Sequence, residues 1–141
     1  MLFIPAQIYE EMLAHLRRCS PDEGCGLLGG QGGLVSRHYP TENVAPEDKP
    51  KRYLVNPRQQ LQAQEQLEAA NLELSAIYHS HIHTPAYPSP TDVRTAYYPD
   101  SYYVLVSFAE PANPVIRAYK IVKPDLWGES GEIVEQEWQV T

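Results

Sequence analysis

No stretch of the chain is apolar for long enough to cross a membrane as a helix. The opening MLFIPAQIYEE also lacks the basic start and long apolar core of a secretory leader. Neither a membrane partner nor export is expected, and the reading is a cytoplasmic protein. Cysteine is scarce: Cys19 and Cys25 are the only two in 141 residues, which rules out a disulfide framework. Cys25, set among glycine and leucine, reads as a small buried apolar residue. Positive charge is in deficit as well, with 11 Lys and Arg against 18 Asp and Glu, a net charge of −7 and a pI of about 5.1. The densest basic stretch, Lys49-Pro50-Lys51-Arg52, is too short for a phosphate track and reads as a solvated loop, so nucleic acid is not an expected partner. Internal repeats and low-complexity tracts are absent, and the 13 prolines fall between periodic segments.

With 43% hydrophobic and 21% charged residues, the chain reads as one domain, residues 1–141, able to bury a core without covalent staples. Leu2-Phe3-Ile4 reads as a strand. Pro5 then opens a helix to about Arg18, because Ile8, Met12 and Leu16 recur at helical spacing and Arg17 and Arg18 suit its C-terminal dipole. Pro21 ends it, leaving Glu23 at the mouth of the next strand, fixed yet open to solvent. Gly24 to Leu28 is a short strand, Gly29 to Gly33 a turn, and Leu34 to Tyr39 the returning strand. The glycine run has no following Lys-Ser/Thr and no helix, so it is not a phosphate loop. Pro40 to Pro50 reads as a loop, Arg52 to Val55 as a strand, and Asn56-Pro57 as the start of an amphipathic helix to about Leu72. Tyr102 to Phe108 is a near-continuous apolar run, a central strand buried on both faces. Val115 to Val122 and Glu132 to Val140 complete the strands. The fold class is α/β, a mixed β-sheet flanked by helices.

The chemistry concentrates between Ala76 and Asp92, AIYHSHIHTPAYPSPTD. On a strand, His79 and His81 point to one face and can reach one ion. Ser89-Pro90-Thr91-Asp92 reads as a helix start, with Ser89 as N-cap, Pro90 at the first helical position and the short helix running to about Tyr98. Pro85, Pro88 and Pro90 stiffen the loop between them. Two imidazoles, one carboxylate and a free fourth position match a catalytic zinc site rather than a closed structural one. Taken singly, His-x-His also describes two polar residues at a sheet end, and Ser-x-x-Asp an ordinary capping box.

Joined to Glu23, the pattern His79, His81, Ser89 and Asp92 resembles the JAMM (MPN+) metalloprotease family: a glutamate after the first helix, then His-x-His, seven residues and Ser-x-x-Asp. PDEGCGLLGG, TENVAP, RYLVNP and YYVLVSF follow in the family's order, so the resemblance covers essentially the whole chain. One departure is Ile82-His83, where the family usually has a proline; a looser loop is expected there, with His83 either near the metal or solvated.

The resemblance implies a cytidine-deaminase-like architecture and a zinc-dependent peptidase or isopeptidase. His79, His81 and Asp92 would hold Zn²⁺, which supplies an acidified water; Glu23 would be the general base and Ser89 the donor to the oxyanion. Short members of the family act on ubiquitin-like sulfur-carrier proteins beyond a C-terminal Gly-Gly, which is the expected partner. A nucleobase deaminase is excluded, because it needs His-x-Glu and Pro-Cys-x-x-Cys. A non-catalytic MPN scaffold and a DNA-repair-associated relative are the alternatives; the complete motif opposes the first and the acidic charge the second. Since neither cysteine is a ligand in this reading, Cys25→Ser should leave zinc content unchanged by elemental analysis, with loss of stability at most. Loss of the metal would contradict a two-histidine, one-aspartate site.

Overall fold

The computed structural model describes residues 1–141. In chain order the elements are β1 (Leu2–Ile4), α1 (Ala6–Cys19), β2 (Cys25–Gln31), β3 (Leu34–Thr41), α2 (Pro57–Ala69), β4 (Glu73–His81), α3 (Pro90–Arg94), β5 (Tyr102–Ser107), β6 (Val115–Val122), β7 (Glu132–Gln136) and β8 (Trp138–Val140). They build one mixed eight-stranded sheet, ordered β7-β6-β5-β4-β2-β3-β1-β8, in which β4 and β5 are parallel and β2 runs antiparallel to β4. The expected α/β class, a mixed sheet flanked by helices, is what forms.

Each face of the sheet carries its own core, and the alternation along β4 assigns residues to them. Ala76 and Tyr78 join the cluster made by Ile8, Met12, Leu13 and Leu16 of α1. Ile77 belongs to the opposite cluster, with Ala63 of α2, Val93 of α3 and Leu105 of β5. Period-two alternation then carries His79 and His81 onto the α2–α3 face. β5 is buried along almost its whole length, as a central strand should be.

Several boundaries differ from the sequence reading, each for a local reason. Gly29, Gly30 and Gln31 continue β2 instead of turning, and only Gly32-Gly33 makes the turn. A Cβ at Gly29 would collide with Leu67 of α2, so this glycine serves a close helix–sheet approach. Arg52 to Val55 is not a strand; its one bridge is Val55 to Asn43. The Asn43 side chain takes the place of a ladder, accepting from Leu54 N at 3.0 Å and donating to Arg52 O at 2.9 Å. α2 stops at Ala69 rather than Leu72 because Asn71 turns left-handed (φ 57°), and Leu72 N then bonds back to Leu67 O. α3 stops at Arg94 rather than Tyr98, which precedes Pro99 and donates its N–H to the Tyr103 hydroxyl. Glu132 to Val140 is two strands, not one. They break at Glu137 and end on opposite edges of the sheet. Because a residue spans at most about 3.6 Å, the sheet must curl until its two edges approach there.

Within the α1 core, Tyr78 is tied by a polar chain that runs from the interior out to the exposed Glu11. Its hydroxyl lies 2.7 Å from both His15 Nδ1 and His38 Nε2, while His38 Nδ1 reaches Glu11 Oε1 at 3.2 Å. One consistent proton order exists: His38 donates to the carboxylate, Tyr78 donates to His38, and His15 donates to Tyr78. Burial lowers the pKa of both histidines, in keeping with neutral rings. The tie matters for Gly26, whose added Cβ would strike the Tyr78 ring. A ring held at both bonds cannot swing away, so Gly26→Ala should destabilise the protein by about 1–3 kcal/mol. Urea unfolding would measure it, and an unchanged midpoint would mean the ring is free to move.

Candidate metal centre

The end of β4 meets the start of α3 at three buried side chains. His79 Nε2 lies 3.2 Å from His81 Nε2, and Asp92 Oδ2 is 3.2 Å from the first and 3.1 Å from the second. Asp92 arrives there through the helix start. Ser89 caps α3, its Oγ accepting from Asp92 N at 3.1 Å while Ser89 N donates to Asp92 Oδ2 at 2.9 Å. His81 is oriented by the loop: its Nδ1 is 2.8 Å from the Pro85 carbonyl, which only accepts, so that nitrogen carries the proton. When the ring is neutral its Nε2 is then a lone pair, turned toward His79 Nε2 and Asp92 Oδ2.

This arrangement fits a cation. A tetrahedral ion with bonds of about 2.0–2.1 Å has its ligand atoms roughly 3.3–3.4 Å apart, close to the separations found here. His79, His81 and Asp92 thus form a buried metal-binding group. The charges agree. Burial works against the charged forms, yet His79, His81 and the Ser89 N–H hold the Asp92 carboxyl well below the usual carboxylate range. Burial likewise opposes protonation of His81, but the Asp92 carboxylate and Pro85 carbonyl raise its pKa.

Glu23 reaches the same place from the segment that leads into β2. Cys25 pairs with His79 in antiparallel register, and Ser80 N bonds Gly24 O at 3.1 Å, which sets Glu23 opposite His81. Its backbone is clamped on both sides, N to Lys49 O at 2.8 Å and O from Asn43 Nδ2 at 2.9 Å. The side chain is buried. Burial raises its pKa to about 8; His81 opposes this, while Asp92 and Asp48 add to it. A cation held by His79, His81 and Asp92 would favour the Glu23 carboxylate.

The structure therefore brings Glu23, His79, His81, Ser89 and Asp92 together and leaves His83 outside, exposed to solvent. Nor is the loop loosened by Ile82-His83. Phe108 N bonds His81 O at 2.9 Å, Ser107 Oγ bonds Thr84 O at 2.6 Å, and the Tyr119 hydroxyl bonds Ala86 O. Two residues of the site carried no individual signal in the sequence. Asn43 holds Glu23, and Tyr53 stacks its ring on His79 with centroids 4.2 Å apart and planes at 21°. Both lie in the family-like segments TENVAP and RYLVNP.

Residues 5–122 match the family of prokaryotic homologs of the JAB domain, and the chain belongs to that family. Among individual proteins, it is similar to the CysO-cysteine peptidase of Mycobacterium tuberculosis, 41% identical over 138 residues that cover 96% of this chain and 93% of that protein. It is also similar to the desampylase of Haloferax volcanii, 30% identical over 112 residues covering 75% of this chain and 80% of that protein. The solution structure of protein DSY2949 from Desulfitobacterium hafniense superposes with a TM-score of 0.82 at 35% identity, over 100% of this chain and 93% of that one.

One metal ion should be bound per chain in protein purified without chelator, and His81→Ala should lose it, both read by elemental analysis. Full retention by a His79→Ala/His81→Ala double variant would place the site elsewhere.

Proposed function

We propose that the chain is a zinc metallopeptidase that hydrolyses the bond after the C-terminal Gly-Gly of a ubiquitin-like or sulfur-carrier protein. The observation that carries the reading is the buried triangle of His79, His81 and Asp92 with the Glu23 carboxyl opposite His81. The similarity to a CysO-cysteine peptidase and to a desampylase supports the substrate class. Residues 1–141 are read as one catalytic domain, since a single sheet takes strands from both ends of the chain.

When bound, zinc would supply Lewis-acid polarisation of the scissile carbonyl and acidification of the attacking water. The chain's own residues do the rest. Glu23 takes the proton from that water and returns it to the departing nitrogen. Its carboxylate makes no hydrogen bond within the chain, so both oxygens are available for that transfer. The Ser89 hydroxyl accepts from Asp92 N, which leaves its O–H free to donate to the carbonyl oxygen as negative charge builds there. A glycine-glycine tail needs little width. Beside His79, the backbone N–H and C=O of Tyr53 make no hydrogen bond, an open edge on which an extended tail can pair.

Glu23→Gln separates this reading from a metal-binding scaffold. The amide keeps the shape but cannot accept the proton, so turnover should fall by about 10²–10⁴ with metal content and fold intact. The assay is cleavage of a carrier extended past its Gly-Gly, followed by mass spectrometry. A variant as fast as wild type removes Glu23 from the mechanism; a wild-type protein that cleaves no such carrier favours the scaffold.

A further inference from the structure

Metal-bound histidines are nearly always anchored by a hydrogen bond from the ring nitrogen that faces away from the ion. His81 follows this rule through Pro85 O. His79 does not. Its Nδ1 is buried and has no hydrogen-bond partner. What touches the ring instead is Tyr53, stacked at 4.2 Å and 21°, with His81 edge-on at 5.0 Å and 62°. We infer that Tyr53 is a positioning residue for His79: its aromatic face fixes the imidazole plane in place of the missing hydrogen bond, and so sets how tightly the metal is held. The inference rests on His79 being a ligand, as read above.

Three features assign this work to the ring itself. The Tyr53 hydroxyl makes no hydrogen bond in the chain, so only the π face engages His79. The backbone on either side is pinned by one side chain, Asn43 Nδ2 to Arg52 O and Leu54 N to Asn43 Oδ1, which locates the ring without a strand. Tyr53 also walls a pocket of about 250 Å³ shared with Leu54, Val55 and Tyr97. The ring is thus open on that side, while its stacked face meets His79.

The test uses cobalt(II) alone as the probe, titrated into chelator-stripped protein and followed by visible absorption. Tyr53→Phe keeps the ring and should bind cobalt within about threefold of wild type. Tyr53→Leu keeps bulk without a π face and should bind about 10- to 100-fold more weakly, with a shifted absorption band. Circular dichroism of the metal-free protein checks the fold, and Tyr53→Met repeats the comparison should the leucine variant not fold. Wild-type affinity in the leucine and methionine variants overturns the inference. So does a phenylalanine variant as weak as leucine, because the hydroxyl would then be the acting group. Cobalt retained in full by His79→Ala would overturn the ligand assignment and the inference together.

Discussion

His79 Nε2, His81 Nε2 and Asp92 Oδ2 face one another within 3.2 Å in the interior of the protein. A negative carboxylate so placed needs something positive beside it, a proton on an imidazole or a cation among all three atoms, and burial removes the water that would otherwise screen it. The surrounding structure holds the triangle closed. Pro85 O fixes the proton of His81 on the far nitrogen, and Ser89 N fixes Asp92 Oδ2 through the helix cap. Such an arrangement is favourable for a protein that carries a divalent cation, which both imidazoles and the carboxylate can meet with lone pairs once the imidazoles are neutral.

The sheet exists, from the site's point of view, to bring three segments to one end of β4. Alternation along that strand puts Tyr78 into the α1 core and its neighbours His79 and Ile77 onto the other face. The strand is thereby locked from both sides: Tyr78 by hydrogen bonds to His15 and His38, Ile77 by packing. A one-residue slip of β4 would exchange the two faces and send both histidines into the apolar cluster around α1. Register, ligand geometry and core packing are therefore one constraint. The antiparallel pairing of β2 extends it to Glu23.

The parts legible in the sequence are those governed by local rules. Helical spacing in α1, the apolar run of β5 and the Ser-x-x-Asp start of α3 all form where periodicity and capping put them. His79, His81, Glu23, Ser89 and Asp92 were legible too, because their spacing could be matched to a known pattern. What could not be read depends on distant partners. Gly29 looks like a turn residue until Leu67 of α2 is seen above it. The segment from Glu132 to Val140 alternates like one strand, and only the curl of the sheet decides that it divides between opposite edges. Tyr53 has no signature of its own, since stacking on a residue 26 positions away leaves no period in the chain.

Asn43 shows how the two halves of the site are kept in step. Its Nδ2 donates to Glu23 O and to Arg52 O, and its Oδ1 accepts from Ala45 N and Leu54 N. An amide side chain has two donor hydrogens and two acceptor lone pairs, so its capacity is used in full. Every partner is a backbone group that has no ladder strand to satisfy it, and buried peptide groups left unpaired are destabilising. Through these bonds one half-buried side chain holds the backbone of the glutamate that faces His81 and the backbone on both sides of the ring that faces His79. An aspartate would supply the acceptors without the donors, and an alanine neither. The site thus depends on a residue that touches no part of the metal-binding triangle.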